Sequence, residues 1–278
     1  MSLSVELVLV WVAVGLYLVA GLASCVSVLW RRPGAARLAA WALAAALLVH
    51  AVPIAGRWAR VGHGPYYSAY EVLSSSVWVG AAVLLGVAAR FPAARAAIGP
   101  DVGISVLLMG WAILSSPEVR PLPATFKGVW LVIHIAFAKL AYGSILVATG
   151  IAAVRLWRGS APPEVGDWQG QLAGAPPALD DLAARLVAFG FVALSFMIAA
   201  GSLWAHNAWG RYWSWDPTET WSLVTWIAYG LFLHLRMARR LSARGADVAV
   251  LALMVVSILA FFFVVRLLPT VHTEFMVK

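Results

Sequence analysis

The sequence predicts an all-α, polytopic membrane protein of about eight transmembrane helices, with both termini outside. Three observations carry that prediction. The chain is 63% hydrophobic and 12% charged, with a mean hydropathy of +0.87, far from the balance of soluble domains. Apolar runs long enough for a hydrocarbon core, which takes about 20 residues per helix, recur along its length. The basic residues also sort unevenly onto two faces when those runs are threaded back and forth across a bilayer.

The predicted spans are 5–29, 37–55, 68–89, 97–115, 129–157, 182–204, 218–238 and 247–267. No basic region precedes the first, so it reads as a retained helix rather than a cleaved signal. Its only notable residue is the chain's single cysteine, Cys25, which excludes an internal disulfide or a thiolate metal site and is expected to be a small buried residue. The fourth span is the weakest, because Asp101 and three glycines dilute it. The sixth begins near Asp180 or Asp181, after a Pro-, Gly- and acid-rich segment (159–181) that reads as a flexible linker. The seventh opens with Asp216 as N-cap, Pro217 in the first helical position and Glu219 in the third. Together the spans make residues 1–278 one transmembrane domain.

The formal charge of +8 is a topology signal, not a nucleic-acid signal. Arg31, Arg32, Arg37, Arg90, Arg95, Arg155, Arg158, Arg185, Arg236, Arg239, Arg240 and Arg244 fall on one face. Arg57, Arg60, Arg120, Lys127, Arg211, Arg266 and Lys278 fall on the other, and Lys139 lies inside the fifth span. The positive-inside rule puts the first set in the cytoplasm, and both termini outside.

The outer face then carries an unusual segment, residues 204–221, in which "WAHNAWGRYWSWDPTETW" holds Trp204, Trp209, Trp213, Trp215 and Trp221. Tryptophan concentrates at membrane interfaces, so a dense aromatic belt is one reading. The other is a platform for a flat apolar ligand. An extended chain would point the rings of Trp213 and Trp215 the same way across Ser214.

Six histidines sharpen that choice. His134 lies about 9 Å or less below the outer end of the fifth span, and His272 follows the eighth. Two imidazoles bracketing an aromatic slot are what a bis-histidine haem requires. For any one histidine, including His50, a structural hydrogen bond is the default. His234 lies 17 residues past Pro217, about 25 Å along the helix and near the inner face, so it belongs to a second site.

At this point the residues resemble a known family. "WAHNAWGRYWSWDPTETWSLVTWIAYGLFLHLR" (204–236) is similar to the tryptophan-rich WWD signature of haem-handling proteins of the CcsA/ResC type, from System II cytochrome c biogenesis. "RWARVGHGPYYSAYEVL" (57–73), with Arg57, Trp58, Gly62, His63, Pro65, Tyr70 and Glu71, and "VWLVIHIAFAKLAY" (129–142) extend the likeness. The resemblance implies that His134 and His272 ligate haem b on the outer face and that His234 serves an inner haem site. It implies that Trp209, Trp213, Trp215, Asp216, Pro217 and Trp221 hold and present the haem. A CcsB/ResB-type partner would supply the missing inner ligand. The function implied is holocytochrome c synthase: carrying haem outward across the bacterial cytoplasmic membrane and attaching it to CxxCH cysteines of apocytochrome c, with thiol-reducing proteins as further partners. A CcmC-like haem chaperone or an electron-transfer cytochrome b are the alternatives. Arg57, Arg60, Lys127 and Arg211 are candidate partners for the haem propionates. Lys139 turns about 140° from His134, and is expected to pair with Glu71 or Asp101 rather than to line the same slot. The sequence departs from the family pattern at His206-Asn207, read as interfacial, and at Ser68, where the family often has Asn.

Overall fold

In a computed structural model, residues 2–115, 122–159 and 179–260 are described, and they form eight α-helices. These are α1 (Leu3–Trp30), α2 (Pro33–Val61), α3 (Ala69–Arg90), α4 (Ile98–Leu114), α5 (Val129–Arg158), α6 (Leu179–Trp209), α7 (Pro217–Met237) and α8 (Ala243–Ile258). Six helical stretches are long and apolar enough to cross a membrane: α1, α2, α3, the stretch Pro92–Leu114, α5 and α6. Helices also stand at the seventh and eighth expected positions, α7 and α8. Most of the 159–181 linker lies outside the described residues, as do His272 and the end of the eighth expected span.

Local chemistry sets the helix ends. Ser2 caps α1 by accepting from the Val5 amide, and Arg31, in the left-handed region, ends it. Pro33 starts α2, where its missing N–H costs nothing, and Gly62 stops it at φ 77°. Ser68 and Glu71 form a reciprocal capping box on α3, so the departure at position 68 exchanges one good N-cap for another. Asp216, Pro217 and Glu219 build the same device on α7 as expected. The fourth expected span is α-helical through its dilute start, with Gly99, Asp101 and Gly103 inside α4, and a 3-10 helix, Pro92–Ala97, leads into it.

Helix α5 is the hub, packing against α3, α4, α6 and α8, while α1 packs on α2 and α4. Small residues permit this closeness: a Cβ on Gly143 of α5 would lie 3.2 Å from Gly80 Cα of α3. Inside the bundle, the Tyr17 hydroxyl and His50 Nδ1 are 3.2 Å apart, and His50 Nε2 and Ser74 Oγ 2.9 Å apart. That chain ties α1, α2 and α3 and gives His50 its structural role. Cys25, by contrast, is exposed on α1 rather than buried. It sits where α1 crosses Gly99, whose Cβ would lie 3.1 Å from its sulfur, on the outer edge of that contact.

Two buried ion networks pin opposite ends of the bundle. At the start of α1, Glu6 accepts from Arg57 and Arg60 of α2, and Arg57 Nε also donates to Glu71 of α3 at 2.9 Å. At the other end, Arg155 of α5 meets Asp247 of α8 at 2.9 Å, and Arg236 of α7 meets Asp180 of α6 at 2.8 Å. Pairing of this kind offsets the cost of taking charges out of water.

Candidate functional site

The helices leave a cavity of about 580 Å³ between α3, α5, α6 and the start of α7, within the range of small-molecule and cofactor sites. Its walls follow from helical periodicity. Helix α5 contributes Leu131, His134, Ile135, Ala138, Lys139 and Tyr142, a repeat at three and four residues that defines one face. Helix α6 contributes Met197, Ile198, Gly201, Ser202, Trp204 and Ala205 in the same rhythm. Tyr66, Tyr67, Phe126, Tyr212 and Trp213 close it with rings from the connections. The lining is mostly apolar and aromatic, with a few polar groups.

His134 is the best-defined of those groups. Its Nδ1 lies 2.8 Å from the Met197 carbonyl oxygen, which can only accept, so Nδ1 carries the proton. The lone pair of the neutral ring then sits on Nε2, the arrangement found in metal-ligating histidines. The ring stacks on Trp204, with centroids 6.3 Å apart and planes 29° apart. Gly201 makes room for it, since a Cβ there would lie 2.6 Å from His134 Nδ1. Trp204 is itself fixed by donation from Nε1 to the Thr125 carbonyl at 2.8 Å.

The tryptophan rings do not share one plane or one element. Trp204 and Trp209 belong to the last turns of α6, where they meet edge to face at 4.9 Å. Trp221 is half-buried in α7. Only Trp213 and Trp215 lie in the connection, and their rings are 87° apart rather than parallel. The cause is the backbone: Trp215 sits at φ 60°, which breaks the extended geometry that would align them. Trp213 lines the cavity, whereas Trp215 is 69% exposed. Trp213 Nε1 and Thr218 Oγ1 are buried without a hydrogen-bond partner among the described residues. Burial, and then the charge of Glu71, hold the Tyr66 phenol above its ordinary pKa, so it stays a neutral donor.

The expected cations divide. Arg57 is buried between Glu6 and Glu71, and Arg60 leans on Glu6, so carboxylates of the chain itself already engage both. Lys127 and Arg211 are exposed, and none of the four lines the cavity. Lys139 does line it, contrary to expectation. A turn of 140° from His134 would keep Lys139 out of a narrow slot, but the cavity embraces a wide sector of α5. Lys139 makes no direct ion pair with Asp101 or Glu71, although the charge of Glu71 acts on it; its Nζ donates to the Pro65 carbonyl at 2.9 Å and to Ser75 Oγ. His206 is exposed and stacked on Tyr212, with planes 5° apart. His63 Nδ1 bonds the Gly64 carbonyl at 2.8 Å. His234 is exposed in the last turn of α7, away from the cavity. Tyr66, Tyr67, Tyr142 and Gly201 were missed; the last two lie on the same helical stripes as His134 and Met197, which was the signal available.

Fold and site together define a class: an all-helical, multi-pass membrane protein with an aromatic cavity beneath a tryptophan-rich connection. The family described as "Cytochrome C assembly protein" matches residues 96–272, and the chain belongs to it. Among curated relatives it is 31% identical over 255 residues to "Cytochrome c biogenesis protein CcsA" of Synechococcus sp. (strain CC9902), covering 82% of each chain. It is 30% identical over 223 residues to the CcsA of Guillardia theta, covering 72% of this chain and 73% of that one. A solved structure, "Cytochrome c Heme Lyase CcmF", shares the fold with a TM-score of 0.65 at 14% identity, over 98% of this chain and 46% of CcmF.

Proposed function

We propose that the chain takes haem b as substrate in the cavity beside His134 and presents it on the outer face of the bacterial cytoplasmic membrane for attachment to apocytochrome c. The observation that carries this reading is His134. A carbonyl fixes its tautomer, Trp204 and Gly201 fix its plane, and it lines an aromatic cavity large enough for a cofactor. The relatives' names, in cytochrome c biogenesis and haem lyase, support it. In this reading eight helices cross the membrane, with both termini and the tryptophan segment outside. His272 supplies the second outer ligand, and His234 an inner site completed by a CcsB/ResB-type partner. Trp213, with Trp209, Trp215 and Trp221 around it, frames the haem edge, and the Asp216–Pro217 cap positions that segment on α7.

Attachment needs little from the protein beyond positioning. Each cysteine S–H adds across one vinyl group: sulfur bonds to the inner carbon and hydrogen to the terminal carbon. No net electrons are gained or lost, provided thiol-reducing proteins keep the cysteines reduced. The test is the visible spectrum of the purified full chain, oxidised and reduced, alone and co-expressed with a CcsB/ResB-type partner. Wild type is expected to show the sharp reduced bands of a six-coordinate haem, and His134→Ala to lose most of that absorbance. Indistinguishable spectra for the two proteins would remove His134 from the site, and no haem under either condition would end the reading.

A further inference from the structure

The cavity is electrically lopsided. Its only lining cation among the described residues is Lys139, and its only lining carboxylate is Glu219. Glu219 belongs to the first turn of α7, beside the connection. Lys139 lies five residues beyond His134 along α5, about 7.5 Å further from the helix start at 1.5 Å per residue. Its ammonium, however, reaches back to Pro65 of the α2–α3 connection and to Ser75 of α3, so the positive side of the cavity is its α3 side and the negative side is the start of α7.

Among the described residues Lys139 also has no carboxylate in direct contact, although the charge of Glu71 acts on it from a distance. It donates to two neutral oxygens, Pro65 O and Ser75 Oγ, and an ammonium has three donors. Among the described residues no carboxylate lies within ion-pair distance of it. The nearby Glu71 spends Oε1 on Arg57, and Oε2 on the amides of Tyr67 and Ser68. A charged side chain inside a span that lacks a counter-ion, and that faces a cavity, marks a place for one.

We propose that Lys139 anchors the carboxylate-bearing edge of the ligand on the α3 side of the cavity. This rests on the reading of the cavity as a haem site. The porphyrin's two propionates then lie on the α3 side, against Lys139 and the neighbouring Ser76 hydroxyl. His134 then faces the iron, and the opposite edge, which carries the vinyl groups, lies toward Trp213 and the start of α7. Glu219 and the capping Asp216 repel the reverse orientation. Lys139 is thus a positioning residue: it fixes which edge meets the incoming thiols, and takes no part in the bond changes.

The experiment titrates purified full-length protein with haemin and with haemin dimethyl ester, whose propionates carry no charge. Wild type should bind the free acid about tenfold or more tightly than the diester, the expected worth of a charge-assisted hydrogen bond. Lys139→Met should lose that preference, its free-acid affinity falling by more than its diester affinity, and Lys139→Arg should retain much of it. Lys139→Gln keeps an N–H donor on a stem one bond shorter, removes the charge, and should behave like Lys139→Met, which separates charge from polarity. A Lys139→Gln protein that prefers the free acid as strongly as wild type overturns the proposal and leaves the haem reading standing. Failure of wild type to bind either porphyrin overturns both.

Discussion

Arg57 and Lys139 reach the same short segment, residues 65–75, from opposite sides. Arg57 comes from α2 and is enclosed by Glu6 and Glu71, with Tyr70 under its guanidinium at 5.0 Å. Lys139 comes from α5 and meets only uncharged oxygens, beside an open cavity. Both are costly cations within a hydrophobic bundle. The first is neutralised by the fold and joins three helices. The second is left to be neutralised by whatever enters. A buried charge that the chain satisfies itself is architecture, and one it leaves for a ligand is a site.

The largest expected effect tests the architectural half. Arg57→Met leaves Glu6 and Glu71 buried without their shared cation, and breaking a buried pair from one side costs about 3–5 kcal/mol. Arg60 still serves Glu6, and two amides still serve Glu71, which places the loss near the lower bound. Thermal unfolding in detergent should show it as a clear drop in midpoint. Lys139→Met, which removes a cation and leaves no carboxylate behind, should be neutral or stabilising by the same measurement. Equal losses in the two variants would erase the distinction between them.

A smaller effect is expected at Gly201, where the cavity's own geometry is at stake. Gly201→Ala drives a methyl against His134 Nδ1, 2.6 Å from its ideal position. Forcing a carbon into a packed site costs about 1–3 kcal/mol, and here the imidazole must give way, loosening its bond to Met197. The change should appear in the haem spectrum as well as in stability. A spectrum unchanged by Gly201→Ala would mean that the His134 plane is not set by α6.

Much of the fold was legible because helix ends are written locally. Ser68 with Glu71, Asp216 with Pro217 and Glu219, and the apolar runs between them all act within a turn or two of sequence. The site was legible at His134 and at Trp213, but its surroundings were not. No residue type forces Trp215 to φ 60°, so an aligned pair was the natural expectation for Trp-Ser-Trp. Lys139 was set aside on angle alone, because the breadth of a cavity depends on how α3, α5 and α6 pack. The pairing of Arg57 with Glu6 spans 51 positions and leaves no local trace, so Arg57 looked available to a ligand.

The smallest effect separates burial from pairing as the source of the contrast. Arg185 and Asp181 form an ion pair at 2.8 Å one turn apart on α6, geometrically as good as Arg57 with Glu71, but their side chains are 54% and 31% exposed. Solvent supplies what a lost partner did, so Arg185→Ala should shift stability by only about 0.2–1 kcal/mol. If instead it cost as much as Arg57→Met, pairing alone would carry the energy, and an unpaired Lys139 would have to be a defect of the bundle. If the cost is small, the expense lies in removing charge from water. The ammonium beside the cavity is then tolerated because the cavity brings it a counter-charge.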